Sequence, residues 1–132
     1  MTASATFLRR VLALDALTCT VTGIAFAAGA SFASPLLGLP VNLLQLAGLS
    51  LLPFAAFVGW LASREQPPVA GVWVAIIINA IWVIDSFLIA AGMGAAPTTL
   101  GIVVVVAQAL AVATFAELEY LGLKRMRARA IA

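Results

Sequence analysis

Seven polar side chains stand inside otherwise apolar runs and are the first candidates for chemistry: Asp15, Gln45, Asn79, Trp82, Asp85, Ser86 and Gln108. A group of this kind in hydrocarbon needs a partner, and an aspartate at mid-span costs about 2.5–3.5 kcal/mol on an insertion scale. Each one therefore marks a proton or ligand pathway, or else a hydrogen-bonded clasp between helices. Asp85, in "NAIWVIDSFL" (79–88), poses the question most sharply. It lies about 24 Å along its apolar run at about 1.5 Å per residue, with no basic residue on the far side.

Helical periodicity sorts these groups onto faces. Asp15, Thr18, Cys19 and Thr22 form one stripe, and Asn79, Trp82, Asp85 and Ser86 a second. Gln108, Val112, Phe115 and Glu119 form a third, with Glu117 nearly opposite Gln108. The stripes should face one another, where neighbouring helices complete their hydrogen bonds. One reading makes Asp85 a proton or cation acceptor on a path through Asn79 and Gln108 toward Asp15. The other, which is the expectation, makes it a clasp held by Gln45, Ser86, Thr98 or Thr99. Asp15 lies close to Arg9 and Arg10, and Glu117 and Glu119 lie close to Lys124 and Arg125. Ion pairing or snorkelling to the membrane edge should satisfy these three acids.

Much other chemistry is excluded. With no histidine and a single cysteine, Cys19, the usual zinc, haem and non-haem iron ligand sets cannot be assembled from this chain. No nucleophile elbow or phosphate-cradling glycine loop is present, and Cys19 has neither a basic neighbour nor a resolving thiol. No cofactor and no enzymatic activity are expected. The net charge of +2 does not indicate nucleic acid, because the basic residues form no stripe with interleaved aromatics.

The elements that position these residues follow from hydropathy. The 132 residues are 64% hydrophobic and 9% charged, with mean hydropathy +1.18. That is more apolar surface than one soluble core can hide. Windows of roughly 20 residues, enough to cross about 30 Å of hydrocarbon, predict four transmembrane helices at about 9–31, 41–63, 69–92 and 98–123. A basic tail follows at 124–132, and the whole forms a single domain. Ser34 to Pro40, Gln66 to Pro68 and Gly92 to Pro97 supply the breaks. Such short loops predict an all-α, antiparallel four-helix bundle in which successive helices are neighbours.

All seven basic residues fall on one side of this topology, and the other two loops carry no charge. The positive-inside rule then places both termini in the cytoplasm. Trp60, Trp73 and Tyr120 read as interfacial anchors, Trp82 as core packing, and Pro53 as a kink in the second span. A competing reading takes Arg9, Arg10 and "ASFAS" (30–34) as a signal peptide, but its apolar stretch is too long and contains Asp15. The two hairpins also align faintly. "LDAL" (14–17) meets "INAI" (78–81), both halves carry "AAG", and Gln45 meets Gln108, which would make a parallel repeat about an axis along the membrane normal.

The segments "LLGLP", "LLPFAAFVGWLA", "NAIWVIDS" and "AQALAV" with "FAELEYLGLKR" resemble short four-helix inner-membrane proteins of bacteria, and more remotely the DoxX-like proteins. The resemblance implies a four-span fold in the bacterial inner membrane and supplies no activity. Function is expected to lie in helix–helix assembly, as a homo-oligomer or an accessory subunit of a larger membrane complex, with anionic lipid at the basic tail. The alternative is a proton-coupled transporter or channel for a small solute that uses the intramembrane polar residues.

Overall fold

A computed structural model describes residues 3–131, apart from the side chains of Ser4, Ala130 and Ile131. It is all-helical, with α1 (Ala3–Leu37), α2 (Val41–Ser63), α3 (Val69–Ala90) and α4 (Thr99–Ile131), each long and apolar enough to cross a membrane. Fewer than a third of the positions in each span are buried. The outward faces carry Leu17, Ile24, Leu46, Ile81 and Leu110, side chains suited to lipid and not to water. The chain is a multi-pass membrane protein.

Two helices outrun their expected limits. α1 continues through Pro35, because a proline in the last turn forfeits only one backbone hydrogen bond. Gly38 stops it by adopting φ +69° while its N–H donates to Ser34 O at 2.9 Å. The segment expected as a basic tail instead prolongs α4 to Ile131. Its inner face is apolar, so Leu123 and Met126 pack against Ala5, Leu8 and Leu12 of α1.

Adjacency also differs from expectation. α1 packs along α2 and along α4, and α3 packs along α4, whereas α2 and α3 scarcely touch despite the short loop between them. The reason lies in the small residues. A Cβ on Gly48 would lie 2.5 Å from Ala27 N, and one on Gly23 would lie 2.9 Å from Gly48 O, so the α1 and α2 backbones meet there. Gly122 admits Leu8 between α1 and α4 in the same way. Phe54, Phe57, Ile78 and Trp82 line the open groove left between α2 and α3.

The two ends close differently. At the basic end, Arg9 Nε donates to Ala62 O at 2.8 Å, Arg125 lies over the Phe7 ring, and Arg64 lies over Trp60. Trp73 and Tyr120 meet edge to face in the same region. At the opposite end the two hairpin loops join. Thr98 N–H donates to Leu37 O at 3.0 Å, its hydroxyl donates to Leu36 O at 2.7 Å, and that hydroxyl accepts from Gly101 N–H at 3.1 Å to cap α4.

Candidate functional site

The polar stripes converge on two clusters. The deeper one joins three helices. Asn79 on α3 donates through Nδ2 to Asp15 Oδ2 on α1 at 2.9 Å and to Glu119 Oε1 on α4 at 3.0 Å. The Cys19 thiol donates to Asp15 Oδ1 at 3.4 Å. Asp15 and Glu119 are 0% exposed and Asn79 only 2%. Two carboxylates converge on one amide nitrogen here, and Glu119 Oε2 is buried with no hydrogen-bond partner. Among the described residues, no lysine or arginine pairs with either acid.

That geometry corrects an expectation. Asp15 and Glu119 do not resolve their charge at the basic rim beside Arg9, Arg10, Lys124 and Arg125. Their helical faces turn them inward, and Arg9 and Arg125 are engaged elsewhere, on Ala62 O and the Phe7 ring. Glu117, two residues from Glu119, is rotated about 200° away and is exposed, as are Arg10 and Lys124.

The second cluster bridges α3 and α4. Trp82 Nε1 donates to Gln108 Oε1 at 2.7 Å, Gln108 Nε2 donates to Ser86 Oγ at 2.9 Å, and Ser86 Oγ donates to Trp82 O at 2.7 Å. Gln108 Nε2 also donates to Val105 O at 2.8 Å. The circuit fixes the rotation of α3 against α4 and satisfies the indole N–H, whose hydrogen bond the side-chain types alone do not reveal.

Asp85 stands apart from both clusters. It is exposed and makes no hydrogen bond among the described residues, so the clasp expected from Gln45, Thr98 or Thr99 does not form. Gln45 points away from the bundle on α2, Thr99 is exposed, and Thr98 is committed to the loop junction. Five residues from the end of α3, Asp85 lies about 8 Å from that terminus. The hairpin alignment fares unevenly at these positions. Asp15 and Asn79, which it equates, meet across the bundle, whereas Gln108 faces inward and Gln45 outward.

Three cavities surround the clusters, and Trp82 forms part of the wall of each. A small one of about 40 Å³ touches Asp15, Cys19 and Gln108, with room for about one water. A second of about 170 Å³ lies toward the uncharged end beside Asp85 and Ser86. The largest, about 400 Å³, fills the gap between α2 and α3 and opens sideways past the exposed Ser50, Pro53, Val74 and Ile78. Cys19 and Asn79 form its floor. Among the described residues no group of three Cys, Asp or Glu side chains is placed to hold a metal ion.

Comparison with known proteins finds no matching family model, no matching curated protein and no matching solved structure.

Proposed function

We propose that this protein is a proton-coupled membrane carrier or channel for a small solute, with Asp15, Asn79 and Glu119 as its coupling site. One observation carries the reading: two fully buried carboxylates share the amide of Asn79, and among the described residues no cation pairs with them and one of their oxygens has no partner. Ionisable groups at such depth mark ion or proton pathways, because hydrocarbon penalises charge that does no work. A proton or a cation neutralises like charges held this close. Cavities adjoin the pair on the groove side and beside Asp15, and supply room for a solute and for water.

The protein belongs, on this reading, in the bacterial inner membrane. The end carrying Arg9, Arg10, Arg64 and the α4 extension faces the cytoplasm, where Lys124, Arg125, Arg127 and Arg129 meet anionic headgroups.

The coupling site is tested by infrared difference spectroscopy of protein reconstituted in lipid, titrated over the whole pH range in which its helicity is retained. A protonated-carboxyl stretch that grows as pH falls, and is lost in Asp15→Asn and Glu119→Gln, is the expected result. A folded protein whose buried carboxyls show no such change is not proton-coupled at this site.

A second reading, assembly with another copy or with a larger membrane complex, is favoured by the gap between α2 and α3, where a partner helix would fit. A defined oligomer in bicelles, with cysteines at Leu49 and Ile77 shielded from labelling, is its signature.

A further inference from the structure

We propose that the groove between α2 and α3 binds a lipophilic ammonium ion, and that this ion and a proton compete for the negative charge of the Asp15–Glu119 pair. The proposal rests on the carrier reading and gives its solute a chemical class.

Shape is the first argument. The groove holds about 400 Å³, has almost wholly apolar walls and opens laterally, so an apolar molecule reaches it from the hydrocarbon without crossing the loops. Its floor then selects the head group. The two carboxylate acceptors hold Asn79 Nδ2 on the inner side. Oδ1 receives no hydrogen bond from any described residue and is not sealed off, on a side chain that is otherwise 98% buried and lines the groove. A ligand seated there must bring a donor.

Charge decides which donor. The two acids lie directly behind Asn79 with no lysine or arginine paired to them. A cationic donor gains their field where a hydroxyl does not, and an anion is repelled. Phe54, Phe57 and Trp82 line the same groove, and aromatic faces attract ammonium ions within about 6 Å.

Competition with protons sets the pH dependence. The titratable groups facing the site are Asp15 and Cys19 from α1 and Glu119 from α4. At this depth α2 and α3 contribute none, since Asp85 is exposed six residues further along α3 than Asn79 and Arg64 is in the loop beyond α2. As one ammonium ion binds, one proton leaves a carboxyl group for water. Affinity therefore rises with pH, by up to about tenfold per unit for a one-for-one exchange.

Trp82 provides the readout. In protein carrying Trp60→Phe and Trp73→Phe, phenylbutylammonium should quench the remaining indole saturably and bind at least about tenfold more tightly at about pH 8.5 than at about pH 6, where the amine remains charged throughout. Phenylbutanol, the neutral counterpart, should bind at least about tenfold more weakly. Glu119→Gln should weaken amine binding and flatten its pH dependence. Val74→Phe, a plug at an exposed rim position that adds no indole, should abolish binding while leaving helicity and thermal unfolding unchanged.

Equal binding of alcohol and amine would make the groove a seat for lipid tails and overturn the proposal. So would binding that ignores the plug, or self-association that shields Trp82 in place of the amine. If the amine fails to bind while the carboxyl infrared band still titrates, the solute class falls and the coupling site stands. Loss of that band removes both.

Discussion

Replacing Asn79 by leucine, close to it in size, removes the one side chain that satisfies both buried acids. Asp15 would keep only its bond from the Cys19 thiol, and neither oxygen of Glu119 would have a partner. Interhelical hydrogen bonds in membranes average about 0.6 kcal/mol and reach about 1.7, which sets a floor near 1 kcal/mol for the pair. Bonds to charged groups in soluble proteins are worth about 1.5–3 kcal/mol each, which sets a ceiling near 6. Full burial of Glu119, which lines none of the cavities, bars rescue by water on that side, so a loss of about 2–5 kcal/mol is expected within those bounds. Reversible unfolding by SDS titration in bicelles measures it. The triple variant Asp15→Leu, Asn79→Leu, Glu119→Leu deletes donor and acceptors together and should return to within about 1 kcal/mol of the parent or exceed it. An Asn79→Leu variant within about 0.5 kcal/mol of the parent, or a triple variant no better than the single, would refute the assignment of Asn79 as the shared donor.

Four further outcomes can be checked by the same unfolding assay or by fluorescence. Gly48→Ala forces a Cβ to within 2.5 Å of Ala27 N and should cost about 1–3 kcal/mol, whereas Gly29→Ala meets no atom within 4 Å and should be neutral or stabilising by up to about 1 kcal/mol. Gly38→Ala combines φ +69° with a Cβ 2.7 Å from Thr98 N, so a loss of at least about 1–2 kcal/mol is expected. Gln108→Leu strands the Trp82 indole N–H and should shift Trp82 emission with a loss of about 1–3 kcal/mol. Asp85→Asn should alter stability by no more than about 0.5 kcal/mol and leave the carboxyl infrared band in place, because Asp85 is exposed and unbonded; disappearance of the band would transfer the proton site to Asp85.

What was legible in the sequence is what local physics dictates. Twenty or more apolar residues must become a helix in lipid, since no other unclosed backbone satisfies its own hydrogen bonds there. The number of spans, the α2 limits and the gathering of Arg9, Arg64 and Arg125 at one end followed from that requirement and from loop chemistry. The inward direction of Asp15, Asn79, Gln108 and Glu119 followed from helical periodicity. The helices run beyond the apolar windows at Pro35 and past Leu123 for local reasons too: proline is tolerated in a last turn, and a basic segment stays helical when successive turns offer Leu123 and Met126 to a neighbour.

Tertiary structure alone decided which inward groups meet. Asp15 and Glu119 are within one side chain's reach of basic residues in the sequence, yet each turns to Asn79, more than forty positions away for one and forty for the other. That choice depends on the rotation of each helix about its axis, which is set where Gly23 meets Gly48, where Gly122 admits Leu8 and where Gln108 holds Trp82 and Ser86. The same contacts draw α1 against α2 and α4 while α3 packs on α4, and so leave open between α2 and α3 the lateral groove that loop length argued against. Hydropathy along one chain reports how deep a residue lies, but the partner at that depth is a property of distant backbones brought together.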